Sequence, residues 1–267
     1  MIRHAAVAGQ FYPSDPVILK RQLEKFMPVA KECVKALGIV VPHAGYIYSG
    51  AVAGAVYARV EIPNTVIILG PNHHGIGSKA AIYPPGEWDT PLGNVAIEQQ
   101  LSKLILQHAS FVEEDSTAHH YEHSLEVQVP FLQHVKPDIS IVPLCLGFGD
   151  YASSELLGRA LAKAIKDFKK EVLVVASSDM SHYEPVDVAR HEDNYAIQEM
   201  LNMNPEGMYS TVRNRGITMC GIIPATVMLI AAMDLGASKS ELIRYATSGD
   251  VSGDFQQVVG YAGLMVY

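Results

Sequence analysis

The chain has 267 residues, room for one large α/β domain or two smaller ones, and its 49% hydrophobic and 18% charged residues are those of an ordinary globular protein. A formal charge of −8, from 20 Lys+Arg against 28 Asp+Glu with no basic run, argues against a nucleic-acid partner. The longest apolar stretches, "VIILG" and "VLVVA", fall far short of the roughly 20 residues a membrane span needs, and the polar start "MIRHAAVAGQFYP" lacks a signal-peptide core, so no membrane is expected and the cytoplasm is.

Asp15-Pro16 opens the first predicted helix, with Asp15 as N-cap and Val17, Ile18, Leu19, Leu23, Phe26 and Met27 along one side. In "LGIVVPHAGYIYSG" a β-branched run, Ile39 to Val41, stops at Pro42 and leads into the small-residue helix "SGAVAGAVYARV". The strand "TVIILG" from Thr65 runs into Pro71-Asn72-His73-His74, and "AAIYP" then "VAIEQQLSKLIL" supply a further strand and an amphipathic helix. Within "DSTAHHYEHSLEVQVPFLQ", Glu122, His123 and Glu126 open a helix that puts His123 and Glu126 on one face, while His119 and His120 read as solvated loop.

"DISIVPLCLG" is a third strong strand, "SSELLGRALAKAIKDFKK" a long helix, and "EVLVVASSDMSHYEP" a fourth strand entering a polar loop. Helical patterns cover 187–203, 205–214 and 221–235; "SGDVSGD" reads as a surface hairpin turn, and "FQQVVGYAGLMVY" as one or two closing strands. Strands alternating with helices, each nearly continuous in apolar residues, indicate a sheet covered on both faces. No linker interrupts the pattern, so residues 1–267 are expected to form one domain.

His43, His74, Asp179 and His182 all fall just past the C-terminal ends of predicted strands, the edge at which open α/β sheets bind ligands. Two imidazoles and one anionic donor, with positions left open, suit a metal that activates substrate or oxygen. Cys220, immediately before Gly221 and an apolar helical run, is the best third donor, since a helix N-terminus favours the thiolate. Cys145 lies inside an apolar strand as a core hydrophobe, and Cys33 is incidental; three sparse cysteines indicate reduced thiols rather than a disulfide framework. His73 and His74, being consecutive, cannot easily both hold one ion, so one is expected beside the metal shell or in solvent. His4, His108, His134 and His191 lie in surface-like contexts, and Tyr46, Tyr48 and Trp88 read as core aromatics or the wall of a pocket. No H-E-x-x-H, paired C-x-x-C, G-x-G-x-x-G, P-loop or G-x-S-x-G is present.

"AGQFYP", "VPHAGYIYSG", "GPNHHG", "EHSLEVQVPF", "SSDMSHY" and "TMCG", in this order and spacing, resemble the Memo family, known in microbes as the AmmeMemoRadiSam system protein B group. The resemblance is nearly end to end. It implies kinship with the class III extradiol ring-cleavage dioxygenases: a three-layer α/β/α sandwich with a largely parallel or mixed sheet, and a mononuclear non-haem site. The metal positions it implies are His43, His74 rather than His73, and Cys220. The acid/base histidine falls on His182, with Asp179 and His123 lining the pocket. Fe(II) is the implied cofactor, and copper or zinc would also accept a His, His, Cys set. Those dioxygenases use a carboxylate where this chain has Cys220, so the implied activity is a metal-dependent redox or oxygenase-like reaction on an unidentified small molecule. The alternative is a peptide-binding scaffold that keeps the pocket, and the microbial group name implies a pathway link to radical-SAM and AMMECR-type proteins.

Overall fold

The computed structural model describes residues 1–29 and 32–267. Its first half runs through β1 (Ile2–Arg3), α1 (Pro16–Phe26), β2 (Gly38–Val41), α2 (Tyr46–Tyr57), β3 (Thr65–Pro71), β4 (Ala80–Ile82), β5 (Glu87–Thr90), β6 (Gly93–Ile97), α3 (Gln99–His108), β7 (Glu113–Glu114) and α4 (Val129–Val135). The second half carries β8 (Ser140–Leu146), α5 (Tyr151–Phe168), β9 (Val172–Ser177), β10 (His182–Glu184), α6 (Val186–Leu201), α7 (Pro205–Arg215), α8 (Ile222–Asp234), β11 (Ser240–Thr247), α9 (Gly249–Ser252) and β12 (Val258–Val266). Helix α1 starts where the sequence predicts: the Asp15 carboxylate accepts from the Val17 and Ile18 N–H groups, and Pro16 occupies the first turn, where no donor is needed.

The strands form one mixed 12-stranded sheet. At its centre β6, β8, β3, β9 and β2 lie side by side and parallel, and β12 joins β2 antiparallel. Successive residues of a strand point to opposite faces, so each central strand feeds two cores. Val40, Ile67, Leu69, Leu144 and Val174 pack on one face with residues of α3, α5 and α8. Ile39, Val41, Ile68, Ile141 and Val175 pack on the other with residues of α1, α2 and α4. This is the expected three-layer α/β/α arrangement. It explains why these strands read as continuous apolar runs rather than alternating ones.

Three local expectations change. "VAI" belongs to β6, so helix α3 begins only at Gln99, capped by the Glu98 carboxylate. Residues 117–128 hold two 3₁₀ turns, Thr117–His119 and Glu126–Gln128, with regular helix starting at Val129; this segment therefore directs His123 and Glu126 to different places. The "SGDVSGD" segment does connect the antiparallel pair β11 and β12, but through a single helical turn, α9.

The order β3-β9-β2 places β9 between two strands that are neighbours in sequence, which opens the topological crevice where such sheets bind ligands. Val41 lies level with Ser177 in the register. Two residues past the ends of β2, β3 and β9 stand His43, His73 and Asp179.

Candidate metal centre

His43 is buried at the centre of this edge. Its N–H donates to Asp179 Oδ1 at 2.8 Å, and its Nδ1 lies 2.9 Å from Ser177 Oγ. Ser177 Oγ already donates to the Ser124 carbonyl (2.6 Å) and accepts from Gln128 Nε2 (2.8 Å). The remaining role for that hydroxyl is to accept, so His43 carries its proton on Nδ1 and presents the Nε2 lone pair to the site. Burial, together with the neighbouring His73 and His123, holds His43 well below the ordinary histidine pKa and so keeps it neutral.

His73 and His123 close around that lone pair. The His43 ring centroid is 5.2 Å from that of His73 and 5.5 Å from that of His123, and the last two stack at 4.7 Å. One nitrogen from each of the three rings lies within 4.8 Å of the other two, a spacing that could hold a metal ion. Buried Glu122 orients His73 twice, accepting from its backbone N–H at 2.7 Å and from Nδ1 at 2.9 Å, which leaves Nε2 free. Burial alone would raise the Glu122 carboxyl, but the hydrogen bonds and charge of His73 and the Ser124 N–H hold it far below the carboxylate range. For His123 burial dominates, lowering its pKa to about 4.

His74, the donor expected from the sequence, is turned away. It is exposed, and its Nε2 donates to the Tyr121 carbonyl at 3.1 Å. The cause is local: Glu122 takes both donors of His73, so the neighbouring side chain leaves on the opposite side of the loop.

Cys220 Sγ sits 3.1 Å from His43 Nε2 and accepts from the Asp179 N–H at 3.3 Å. It can come this close because the next residue is glycine: a Cβ on Gly221 would fall 2.4 Å from the Ser177 carbonyl and 2.3 Å from Ser178 Cβ. The helix N-terminus, expected to favour the thiolate, is opposed here by burial. Burial, aided by the Asp179 charge, pushes the thiol well above its ordinary pKa, and the S–H has two acceptors within reach, His43 Nε2 at 3.1 Å and the Asp179 carbonyl at 3.6 Å.

Asp179, expected to line the pocket, and His182, the expected acid/base histidine, lie alongside. Burial lifts Asp179 to about 6 even though it accepts from the His43 N–H. The His182 N–H donates to Thr218 Oγ1 (2.7 Å) and its Nδ1 lies 2.9 Å from the Thr218 carbonyl, which fixes the proton on Nδ1 and leaves Nε2 as the basic atom. His43, Cys220, Asp179 and His123 thus lie together. His73, Glu122, Ser177 and Gln128 complete the cluster without having been picked out as site residues from the sequence. His119 is also corrected: it is fully buried, with Nε2 against the Ala81 carbonyl, not solvated.

Among the described residues no helix is long and apolar enough to cross a membrane. The fold resembles a solved structure of the uncharacterized protein JW3007 of Escherichia coli K12, with a TM-score of 0.54 over 86% of this chain and 99% of that one, at 15% identity. In sequence, the chain is 43% identical over 270 residues to a MEMO1 family protein of Aquifex aeolicus, covering 99% of this chain and 98% of that protein. It is 42% identical over 284 residues to a MEMO1 family protein of Methanocaldococcus jannaschii, covering 99% of each. The pattern of the Memo-like protein family matches residues 3–265, and the chain belongs to that family.

Proposed function

We propose that this chain holds one transition-metal ion between His43, His73 and His123, with Cys220 as an adjoining sulfur donor, and that it is a metal-dependent redox enzyme using Fe(II). The observation that carries the reading is the shared space among three imidazole nitrogens within 4.8 Å, combined with the engagement of the far nitrogens of His43 and His73 by Ser177 and Glu122. Neutral imidazoles oriented from behind are what a metal requires of its ligands, and burial keeps His43 and His123 neutral. Nitrogen and sulfur donors also suit copper and zinc, and metal analysis decides among them.

Bound here, Fe(II) supplies a redox-active, Lewis-acidic centre. The protein supplies the proton traffic around it. Asp179, with a pKa of about 6, can hold or release a proton near neutrality, and the Nε2 of His182 is the available base.

Anaerobic reconstitution with Fe(II), followed by desalting and metal analysis, tests the reading. Wild type should retain one equivalent and His43→Ala less than about a tenth of that, with weaker retention in Cys220→Ser. Failure of wild type to keep stoichiometric metal, or full retention by His43→Ala, would overturn it. Oxygen uptake by the loaded protein then tests the redox assignment.

A further inference from the structure

A cleft of about 290 Å³ opens beside the metal centre, between the loops that follow β3 and β8 and the start of α8. Most of the side chains that line it are apolar, among them Leu146, Phe148, Met219, Ile222 and Ile223, while Asn72, Arg213 and backbone groups make its exposed surface polar as well. Cys220 lies in one wall, which sets the cleft against the Cys220 side of the centre. Asn72, also in the lining, spends its amide locally: Nδ2 donates to the Ile76 carbonyl and Oδ1 accepts from the Gly75 N–H. The remaining charged group is Arg213.

Arg213 is held in place yet left open. Its Nη2 donates to the Gly149 carbonyl at 2.8 Å, and its guanidinium lies 5.4 Å from the centre of the Tyr209 ring, whose hydroxyl donates to the same carbonyl at 2.7 Å. Its near neighbour Arg215 is neutralised by Glu192 at 2.7 Å, and Arg3, Arg59, Arg159 and Arg190 are likewise paired with carboxylates. Arg213 has no carboxylate partner among the described residues. A guanidinium carries a planar fork of N–H donors matched to a carboxylate, and a fork fixed in advance loses less freedom on binding.

From a cleft that combines apolar side chains with an open guanidinium in its lining and has the metal centre alongside, we propose that the substrate of this site is a small carboxylate with a compact hydrocarbon body, and that Arg213 sets this specificity by gripping the carboxylate. The volume of about 290 Å³ falls just below the usual range for ligand pockets, about 300–1,000 Å³, and suits a small ligand. The inference rests on the metal-centre reading, because it is the centre that makes an occupant of this cleft a substrate.

Benzoate and its neutral counterpart benzamide are the probes, titrated into full-length protein labelled at the methionine methyls, with and without Fe(II) or diamagnetic Zn(II). Metal content is measured on the same samples. Benzoate should shift the Met219 methyl signal, assigned through Met219→Leu, and bind at least tenfold more tightly than benzamide. Arg213→Gln should weaken benzoate at least tenfold, bring it level with benzamide, and leave metal content unchanged. Arg213→Lys should fall between, because it keeps the charge and loses the fork. An unmoved Met219 signal in both metal-free and loaded wild type, equal binding of the two probes, or an Arg213→Gln variant that binds benzoate like wild type would each overturn the proposal. The benzamide comparison uses wild type alone and does not depend on a variant folding. Arg213-dependent benzoate binding in a protein that takes up no metal would defeat the metal reading and leave the carboxylate site standing; metal uptake without benzoate binding would do the reverse.

Discussion

Glu122 and Glu126 stand one helical turn apart in sequence, both fully buried, and they have opposite surroundings. Glu126 is saturated: Oε1 accepts from the Val7 N–H and the Tyr12 hydroxyl, and Oε2 from the Ala6 N–H and Arg3 Nη1 at 2.7 Å. Arg3 also donates to the His119 and Glu122 carbonyls and lies 4.3 Å from the centre of the Trp88 ring. Every acceptor position on Glu126 has a donor from the protein, and the result is a clamp that ties the N-terminus to the 117–128 segment. Glu122 instead accepts from His73 and Ser124, and its chief partner is a ring whose other nitrogen faces His43 and His123. A buried polar group satisfied on all sides stabilises structure; one that orients a partner with a lone pair left over prepares a binding site.

The largest effect should come from the clamp. Glu126→Ala leaves Arg3 buried without its counter-charge, and breaking such a pair costs about 3–5 kcal/mol. Denaturant unfolding measures the loss; a change under about 1 kcal/mol would mean that the two carboxylates do not differ as described.

Acid titration should come next. Burial lowers His119 to about 3, so the unfolded chain, with an ordinary histidine near 6.5, binds that proton more readily than the native state does. This contribution is fully present above about pH 6.5 and is lost as the pH falls toward about 3, amounting to as much as a few kcal/mol. His119→Gln should flatten the stability profile over that window, as followed by thermal melts at several pH values.

Glu122→Gln should act mainly on the metal. It keeps the shape but weakens the hold on His73, so metal affinity should fall about 10- to 100-fold, read by competition with a chromophoric chelator. Its stability loss should be well under that of Glu126→Ala. The smallest effect is reserved for His74→Ala, where metal affinity should change less than about twofold and stability by no more than about 0.5 kcal/mol, as for other exposed substitutions.

The sheet is legible in the sequence because a parallel strand buried on both faces must be apolar throughout, and "GIVV", "TVIIL" and "VLVVA" are. The binding edge is legible for the same reason: polar residues begin where those runs stop. The choice between His73 and His74 depends on which carboxylate takes the loop's donors, and Glu122 is 49 residues away. The equal offset of His43, His73 and Asp179, two residues past their strand ends, is the signal that could have decided it. The 117–128 segment matched a helical spacing, but the Arg3–Glu126 pair, spanning 123 residues, sets its actual path. Cys220 lies beside His43, as its place before an apolar helix suggests, but the burial and the Asp179 charge that act against the thiolate come from residues distant in sequence.

The most direct test is anomalous scattering at the iron edge from crystals grown anaerobically with Fe(II). One strong peak should lie at bonding distance from nitrogens of His43, His73 and His123, on the side of the rings that Cys220 Sγ also faces, with His74 outside the shell. A peak bound by His74 instead of His73, or no peak among these residues in crystals that contain iron, would contradict the account.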